Sequence, residues 1–415
     1  MPNLWIINQY ANTPDMPGHT RQYEMATGLI KKGWNVNVIS SDFNLSKRYF
    51  IKLKGLNLKK KENINGIDWH WLRVIPYQKN NYMRYLNILS FCGMLTIEFF
   101  KLIFKGNQNI SYPDIILASS PQLPATYISL LFAKLLKKPF IAEIRDLWPQ
   151  VLIDQRGLNR KNPLIKLLKF FEKKIYKNSD YLIVLAKGAE KYVLEKGATK
   201  TIWLPNGSDL DKFKFSVLPE ENQAFCFNRP LRIFYCGAHG ELNDLETAIK
   251  AAELIENKPI KLIFIGDGPC KKDLIKKAKN QLNVEFWDSV SKEKIPNILS
   301  KADAILLNLK KVSLFEYGIS PNKLYDAYAI GRPVITNVEG FINKEVENNN
   351  LGFTASSSNP EELAQAFLNM LNTNRKEREL MGIRARKLAE RTYSRQRINI
   401  LFEKLLNNLT QNRID

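Results

Sequence analysis

Arg232-Ile233-Phe234-Tyr235-Cys236-Gly237-Ala238-His239-Gly240 is a short apolar run that stops abruptly at glycine. An apolar run of this length, rich in aromatic and β-branched side chains and closed by turn residues, reads as a buried strand. A helical pattern follows over residues 245–254, then a second apolar run at 262–265 closed by Gly266-Asp267-Gly268, then a helical pattern over 271–279. Further strands are predicted at 284–287, 304–307 and 333–336. Strand alternating with helix, with glycine at the strand ends, is the pattern of a parallel sheet wound on both faces.

The same rhythm runs upstream. Strands are predicted at residues 4–8, 35–40, 114–118, 140–143, 181–184 and 201–204, with helices at 20–32 and 122–136. The fold class is therefore α/β, with two doubly wound domains in tandem, and 415 residues suit two domains. The polar stretch before Arg232 separates them. The predicted layout is a first domain at 1–215, a linker at 216–230, a second domain at 231–392, and a C-terminal helix at 393–415 that packs back toward the first domain. Two such domains leave a cleft at the carboxyl ends of their strands, where ligands of doubly wound sheets sit.

Composition narrows the chemistry. The net charge is +21 and the pI about 9.6, so the surface attracts anions. Nucleic acid, an anionic membrane and phosphorylated small molecules all fit, as does a Lys-rich surface chosen for solubility. No nucleic-acid-binding motif is present, which demotes the first. Cys92, Cys226, Cys236 and Cys270 form no CxxC pair, and the histidines are His19, His70 and His239. Neither a zinc site nor a disulfide framework is expected, and a reducing cytoplasm is the predicted compartment. The start of the chain lacks the basic, long apolar pattern of a signal peptide. The longest apolar stretch, residues 85–104, is interrupted by Asn87, Glu98 and Lys101 and makes a poor membrane span.

Three elements of the second half form a candidate anion site. Gly237 and Gly240 follow one predicted strand and Gly266 another, and glycine lets a backbone approach a phosphate. Asn243 and Glu246 have capping-box spacing. In Ser320-Pro321-Asn322-Lys323-Leu324-Tyr325-Asp326, serine suits the N-cap and proline the first helical position, and Gly331 closes the helix. Lys323 and Asp326 share one helical face. They suit a diphosphate and a ribose diol, or equally an ordinary surface ion pair.

Seven segments, in order, resemble one family: PGHTRQYEMATGLIKKGWNVNVIS, ASSPQLPATY, AEIRDLWPQ, LPNGSDLDKF, YCGAHGELNDLETAIKAAE, FIGDGP and ISPNKLYDAYAIGRPVI. Together they span nearly the whole chain. They are similar to GT-B glycosyltransferases of the retaining family 4, and within it to the WbuB-like branch of bacterial surface-polysaccharide enzymes. The resemblance implies two Rossmann-like domains, the first binding a glycan acceptor and the second a nucleotide-sugar, UDP-linked by analogy with the branch. It implies no metal and no other cofactor. Acceptors of the branch are sugars on polyprenyl diphosphate, which places the protein on the inner face of the cytoplasmic membrane.

The resemblance assigns donor contacts to Gly237, Gly240, Gly266, Val290, Glu316, Gly318, Ile319, Ser320, Lys323 and Asp326. The family carries two glutamates separated by seven residues. The second corresponds to Asp326, and the first falls on Gly318, with Glu316 the nearest substitute. Phosphate-binding arginine and lysine positions of many members are Ala238 and Asn243 here, which leaves Lys323 as the principal cation.

On the acceptor side, Gly18, His19 and Arg21 open the first helix, Ser119 and Ser120 follow one strand, and Arg145 and Asp146 another. Arg21 is a candidate to stabilise the leaving diphosphate, and Asp146 to orient or deprotonate the acceptor hydroxyl. The structural alternatives are a surface arginine and an Arg145–Asp146 pair that only fixes its loop. No carboxylate pair stands out as a glycosidase-like nucleophile and acid. Basic residues interleave with apolar ones at 47–61, around 84–104 and at 160–177, which suits an anionic membrane surface, or lysines on the outer faces of core helices. The competing functions are a GT-B nucleotide-sugar epimerase, disfavoured by so few histidines, and a catalytically silent relative, favoured by the glycine at 318.

Overall fold

The computed structural model describes residues 1–16, 20–45, 48–79, 81–105, 111–219 and 229–411. The chain forms two compact units, Met1–Leu204 with Asn399–Asp415, and Pro205–Ile398.

The first unit is built on β1 (Asn3–Ile7), β2 (Asn35–Ser41), β3 (Lys59–Ile64), β4 (Ile67–Leu72), β5 (Ile115–Ser119), β6 (Phe140–Ile144), β7 (Tyr181–Val184) and β8 (Thr201–Trp203). Their order is β3-β4-β2-β1-β5-β6-β7-β8, and every pairing is parallel except β3 with β4. β1, β5 and β6 are buried along their whole length, as strands covered by helices on both faces must be. The order reverses between β1 and β5, so the loops leaving them diverge and open a crevice at their carboxyl ends. One face of the sheet carries a layer of helices, Tyr82–Lys105, Leu123–Leu135 and Pro163–Asn178. Stacked Phe99 and Phe132, with ring centroids 4.2 Å apart, join the first two, and Tyr127 against Phe171 at 5.1 Å joins the last two.

The β3–β4 hairpin is absent from the sequence reading. Its turn, Asn65-Gly66, has φ of +52° and +85°, the left-handed pair that a two-residue hairpin needs. The hairpin also corrects the basic stretch at 47–61. Lys47 lies outside the described residues, no helix forms among residues 48–61, and Lys59, Lys60 and Lys61 line an exposed edge strand in ion pairs with Glu98, Glu62 and Asp68. Lysines on an edge strand discourage pairing with a second sheet.

The second unit holds β9 (Leu231–Cys236), β10 (Ile260–Ile265), β11 (Val284–Trp287), β12 (Ala304–Leu307), β13 (Val334–Thr336) and β14 (Gly352–Thr354). The order is β11-β10-β9-β12-β13-β14, wholly parallel, with the reversal between β9 and β12. Ile233, Phe264, Leu306 and Phe367 are among the residues that fill its core.

The division falls at Leu204, not at residue 215. Residues 205–219 belong to the second unit because polar groups there need them. The Arg332 guanidinium, fully buried, donates to the carbonyls of Ser216 at 2.6 Å and Val217 at 3.0 Å. Of the predicted linker, residues 220–228 lie outside the described residues. The last helix, Arg395–Gln411, starts in the second unit, and its residues from Asn399 count with the first. There Phe402 and Leu406 are fully buried, and Asn399 occupies the space that a Cβ on Gly28 would take.

Candidate functional site

In the second unit, Cys236 pairs with Ile265 in register, so Gly237 and Gly266 leave neighbouring strands side by side. Gly266 has φ +146°, and a Cβ there would lie 2.0 Å from the Gly237 carbonyl oxygen. No other residue fits.

Lys323 comes to this glycine pair from the first turn of the helix Asn322–Ile330. Its Nζ donates to Tyr235 Oη at 2.8 Å and to Asn243 Oδ1 at 3.3 Å, and lies 4.0 Å from the Tyr235 ring centroid. Nζ also sits 3.0 Å from where a Gly237 Cβ would be. Among the described residues no carboxylate bonds to it. Burial pulls its pKa from the usual lysine range to about 7, with Cys236 opposing the shift. A partly desolvated cation without a counter-ion gives up its proton easily, and an arriving anion would hold it charged. No side chain caps this helix; the Leu324 N–H bonds to the Pro321 carbonyl at 3.1 Å, and among the described residues the amides of Asn322 and Lys323 are left open to the same anion.

The predicted cap is corrected. Pro321, at φ −82° and ψ 120°, takes the N-cap position, not Ser320. The Ser320 hydroxyl accepts from the Asn206 backbone N–H at 3.0 Å and lies 3.1 Å from Tyr325 Oη. Asn206 Nδ2 also donates to the Ser320 carbonyl at 2.8 Å. The predicted capping box is likewise absent. Asn243 ends a short 3₁₀ turn that begins after Gly240, and Asp244 precedes the helix Leu245–Glu253.

Asp326 lies one turn beyond Lys323, half-buried, and the two do not pair. Ser208 Oγ donates to Asp326 Oδ1 at 2.6 Å. Gly318 ends the 3₁₀ turn Ser313–Tyr317 with φ +83°, a conformation that an L side chain adopts only under strain. The absent glutamate is thus a matter of backbone as well as of side chain. The Glu316 side chain lies outside what the structure describes. Ile319 and Val290 are half-buried, Val290 in the loop after β11. A small pocket of about 90 Å³ adjoins the turn, lined by Lys311, Ser313, Phe315, Val338 and Glu339 among others.

Sequence reasoning missed Tyr235, Asn206, Ser208 and His239. The first is hidden inside an ordinary strand and the next two inside a junction loop. His239 is fully buried among Tyr235, Phe264 and Phe286, with no partner on either ring nitrogen, and burial lowers its pKa.

In the first unit the organising group is Glu143, also missed. It is fully buried on β6. Arg21 Nε donates to it at 2.7 Å, Ser119 Oγ at 2.6 Å and Gln22 Nε2 at 3.0 Å. Burial raises the Glu143 carboxyl, but Arg21, Arg145 and these donors outweigh it and hold the pKa below the usual carboxylate range. Arg21 therefore sits almost wholly buried in an ion pair, with Nη2 on the Leu204 carbonyl at 2.9 Å. Ser120 Oγ accepts from the Arg145 backbone N–H at 2.9 Å. Arg145 is half-buried between Glu143 and Asp146 in charge, and its own pKa is lowered by burial. The Asp146 side chain is exposed to solvent, with the Arg145 charge beside it. Gly18 and His19 lie outside the described residues. Among the described residues no cluster of three or more His, Cys, Asp or Glu side chains could hold a metal ion.

Comparison with known proteins agrees with this layout. The family described as glycosyl transferases group 1 matches residues 230–373. WcaI of Escherichia coli (strain K12), named for glycosyl transfer in colanic acid biosynthesis, is 24% identical over 333 residues, 77% of this chain and 79% of its own. Among solved structures, sucrose-phosphate synthase of Thermosynechococcus elongatus superposes with a TM-score of 0.73 at 15% identity, over 99% of this chain and 100% of its own. Anabaena HepE, solved with UDP and glucose, gives 0.66 at 12% identity, over 98% and 100%. Residues 230–373 thus resemble the group 1 glycosyl transferase domain, within a chain whose two Rossmann-like units have the GT-B fold.

Proposed function

We propose that the protein transfers a sugar, with retention of configuration, from a UDP-sugar to a glycan carried on polyprenyl diphosphate, in assembly of a cell-surface polysaccharide. The observation that carries this reading is Lys323. It is a half-buried ammonium with no carboxylate partner among the described residues, held beside the Gly237 loop at an uncapped helix start.

The donor diphosphate would neutralise Lys323 and accept from the amides of the Asn322–Ile330 helix. As the sugar leaves, negative charge grows on the diphosphate, and these fixed donors stabilise it without rearranging. Asp326 accepts from the ribose diol. On the acceptor side, Arg145 is the cation left for a phosphate, since Arg21 is committed to Glu143. Asp146, exposed to solvent beside Arg145, orients the acceptor hydroxyl. The reading assigns no role to a metal, because Lys323 and the helix amides supply the positive charge. It places the protein in the cytoplasm, on the inner face of the membrane.

Purified protein with a polyprenyl-diphosphate-linked acceptor and a panel of nucleotide-sugars should release nucleoside diphosphate with one donor. The backbone at Gly318 favours one second reading, a silent subunit. Donor binding without release across the whole panel would establish it.

A further inference from the structure

The helix Tyr82–Lys105 has two unlike faces. Asn87, Phe91, Leu95, Glu98 and Leu102 are buried in the first unit. Asn87 accepts from Gln9 Nε2 at 2.8 Å, and Glu98 pairs with Lys59 at 2.8 Å. The opposite face is exposed and almost wholly apolar. Tyr85 is 51% exposed, Leu89 59%, Ile97 47%, Phe100 44% and Phe104 77%. Their spacing follows the helical repeat, so they form one continuous stripe. Over residues 82–104 it runs for about 30 Å at 1.5 Å per residue.

The stripe does not end at the helix. Phe100 packs edge-on against Phe132 at 5.3 Å, in the helix Leu123–Leu135, which exposes Leu131 and Leu135. Tyr127 of that helix meets Phe170 at 6.0 Å, in the helix Pro163–Asn178, which exposes Leu167 and Phe170. A monomer in water rarely leaves so much contiguous apolar surface uncovered. The polar margin is basic. Lys134 and Lys137 lie at the end of the middle helix, and Lys166, Lys173, Lys174 and Lys177 are exposed on the third. Within the three helices, Glu98 and Glu172 are buried.

We propose that this three-helix face docks on an anionic phospholipid surface, with Tyr82–Lys105 lying in the plane of the headgroups. By length and a mean hydropathy of 1.6 the segment Tyr82–Phe104 could also cross a bilayer. Its buried polar face excludes that, because crossing would tear Asn87 and Glu98 from their partners in the domain. The lysine margin selects the occupant. An uncharged apolar partner or a second copy of this equally basic face would leave those charges unmatched, whereas anionic headgroups match each of them at the depth where an interfacial helix lies. The proposal gives the lipid-linked acceptor of the proposed activity a place to be met, and it rests on that reading only for the acceptor's identity.

The test is co-sedimentation of the full chain with vesicles of phosphatidylcholine alone, or containing about one third phosphatidylglycerol. Wild type is expected to bind the anionic vesicles at least about tenfold more tightly, with the preference falling as salt rises. Leu89→Ser/Ile97→Ser/Phe104→Ser removes exposed side chains only, so folding is retained. It is expected to lose about tenfold or more of vesicle binding with UDP affinity unchanged. Lys166→Glu/Lys173→Glu/Lys174→Glu is expected to remove the anionic preference. Equal binding of wild type to both vesicles, or wild-type binding by the serine variant, overturns the proposal. So does a dimer in solution that the serine variant dissolves while vesicle binding persists. None of these results bears on whether UDP binds or sugar is transferred.

Discussion

Ser208 Oγ donates a 2.6 Å hydrogen bond to Asp326 Oδ1, from a loop that also holds Ser320 through Asn206. The carboxylate expected to receive a ribose diol is therefore oriented before any ligand arrives. Asp326→Ala should weaken UDP binding by about tenfold or more, because the diol loses a charged acceptor. Ser208→Ala leaves the carboxylate in place but unanchored, and should weaken binding by no more than about tenfold. Calorimetry with UDP and its 3′-deoxy analogue checks both. If Asp326→Ala binds the two nucleotides as wild type does, the ribose assignment is lost.

Lys323 predicts a pH dependence whose sign is fixed. Its pKa in the free protein is about 7, lowered by burial, and a diphosphate requires its charged form. Below that pH the ammonium is already present. Above it, binding must take up a proton, and affinity should fall by about tenfold per unit until the pKa of the bound state is reached. UDP-glucose is a suitable probe because its diphosphate does not titrate there. Binding at pH 8 in buffers of different ionisation heat should report proton uptake by wild type and none by Lys323→Met.

Gly318 predicts a failed repair. Gly318→Glu supplies the carboxylate that the resemblance leads one to expect but puts a side chain at φ +83°. A loss of about 1–2 kcal/mol in stability is expected, with no gain in turnover. A rise in turnover would mean that the turn relaxes easily and that the glycine is incidental.

Glu143 and Arg21 predict an acid-sensitive first unit. Glu143→Ala leaves a buried guanidinium uncompensated and should cost about 3–5 kcal/mol by denaturant unfolding. Because the Glu143 pKa is depressed in the fold, its contribution is present above the usual carboxylate range. It is lost as pH falls through the folded value. Glu143→Gln should flatten that part of the stability profile.

Asp146→Asn should lower turnover by about a hundredfold with donor affinity retained, as for a group that handles the acceptor proton. Equal losses in both would make Asp146 a loop anchor.

The parallel sheets were legible because β9 and β10 end in four apolar residues each, Ile233–Cys236 and Leu262–Ile265, closed by glycine and followed by a helical pattern. Lys323 and Asp326 were legible as neighbours on one helical face, but not their partners. Tyr235 and Ser208 reach them from 88 and 118 residues away in sequence. The strand Phe140–Ile144 did carry a visible signal, since a glutamate in a fully buried strand must be paired. What it could not reveal was that the partner is Arg21. A guanidinium at a helix start looks the same in sequence whether it faces a ligand or a buried carboxylate. The Asn65-Gly66 hairpin was readable from its turn residues and was obscured by the lysines around it.

The interruption of the first unit by the second bears on the order in which the protein matures. Residues 1–204 leave the ribosome long before 399–411, yet Phe402 and Leu406 are part of what the first unit buries. The second unit has every strand of its sheet as soon as residue 354 has emerged. The earlier-made half therefore waits, with Phe402 and Leu406 missing from its core, for a helix translated after the whole second unit. A nascent chain with residue 398 just outside the ribosome would have every residue of the second unit free to fold and a first unit still lacking Phe402 and Leu406, a stage at which chaperones have apolar surface to bind.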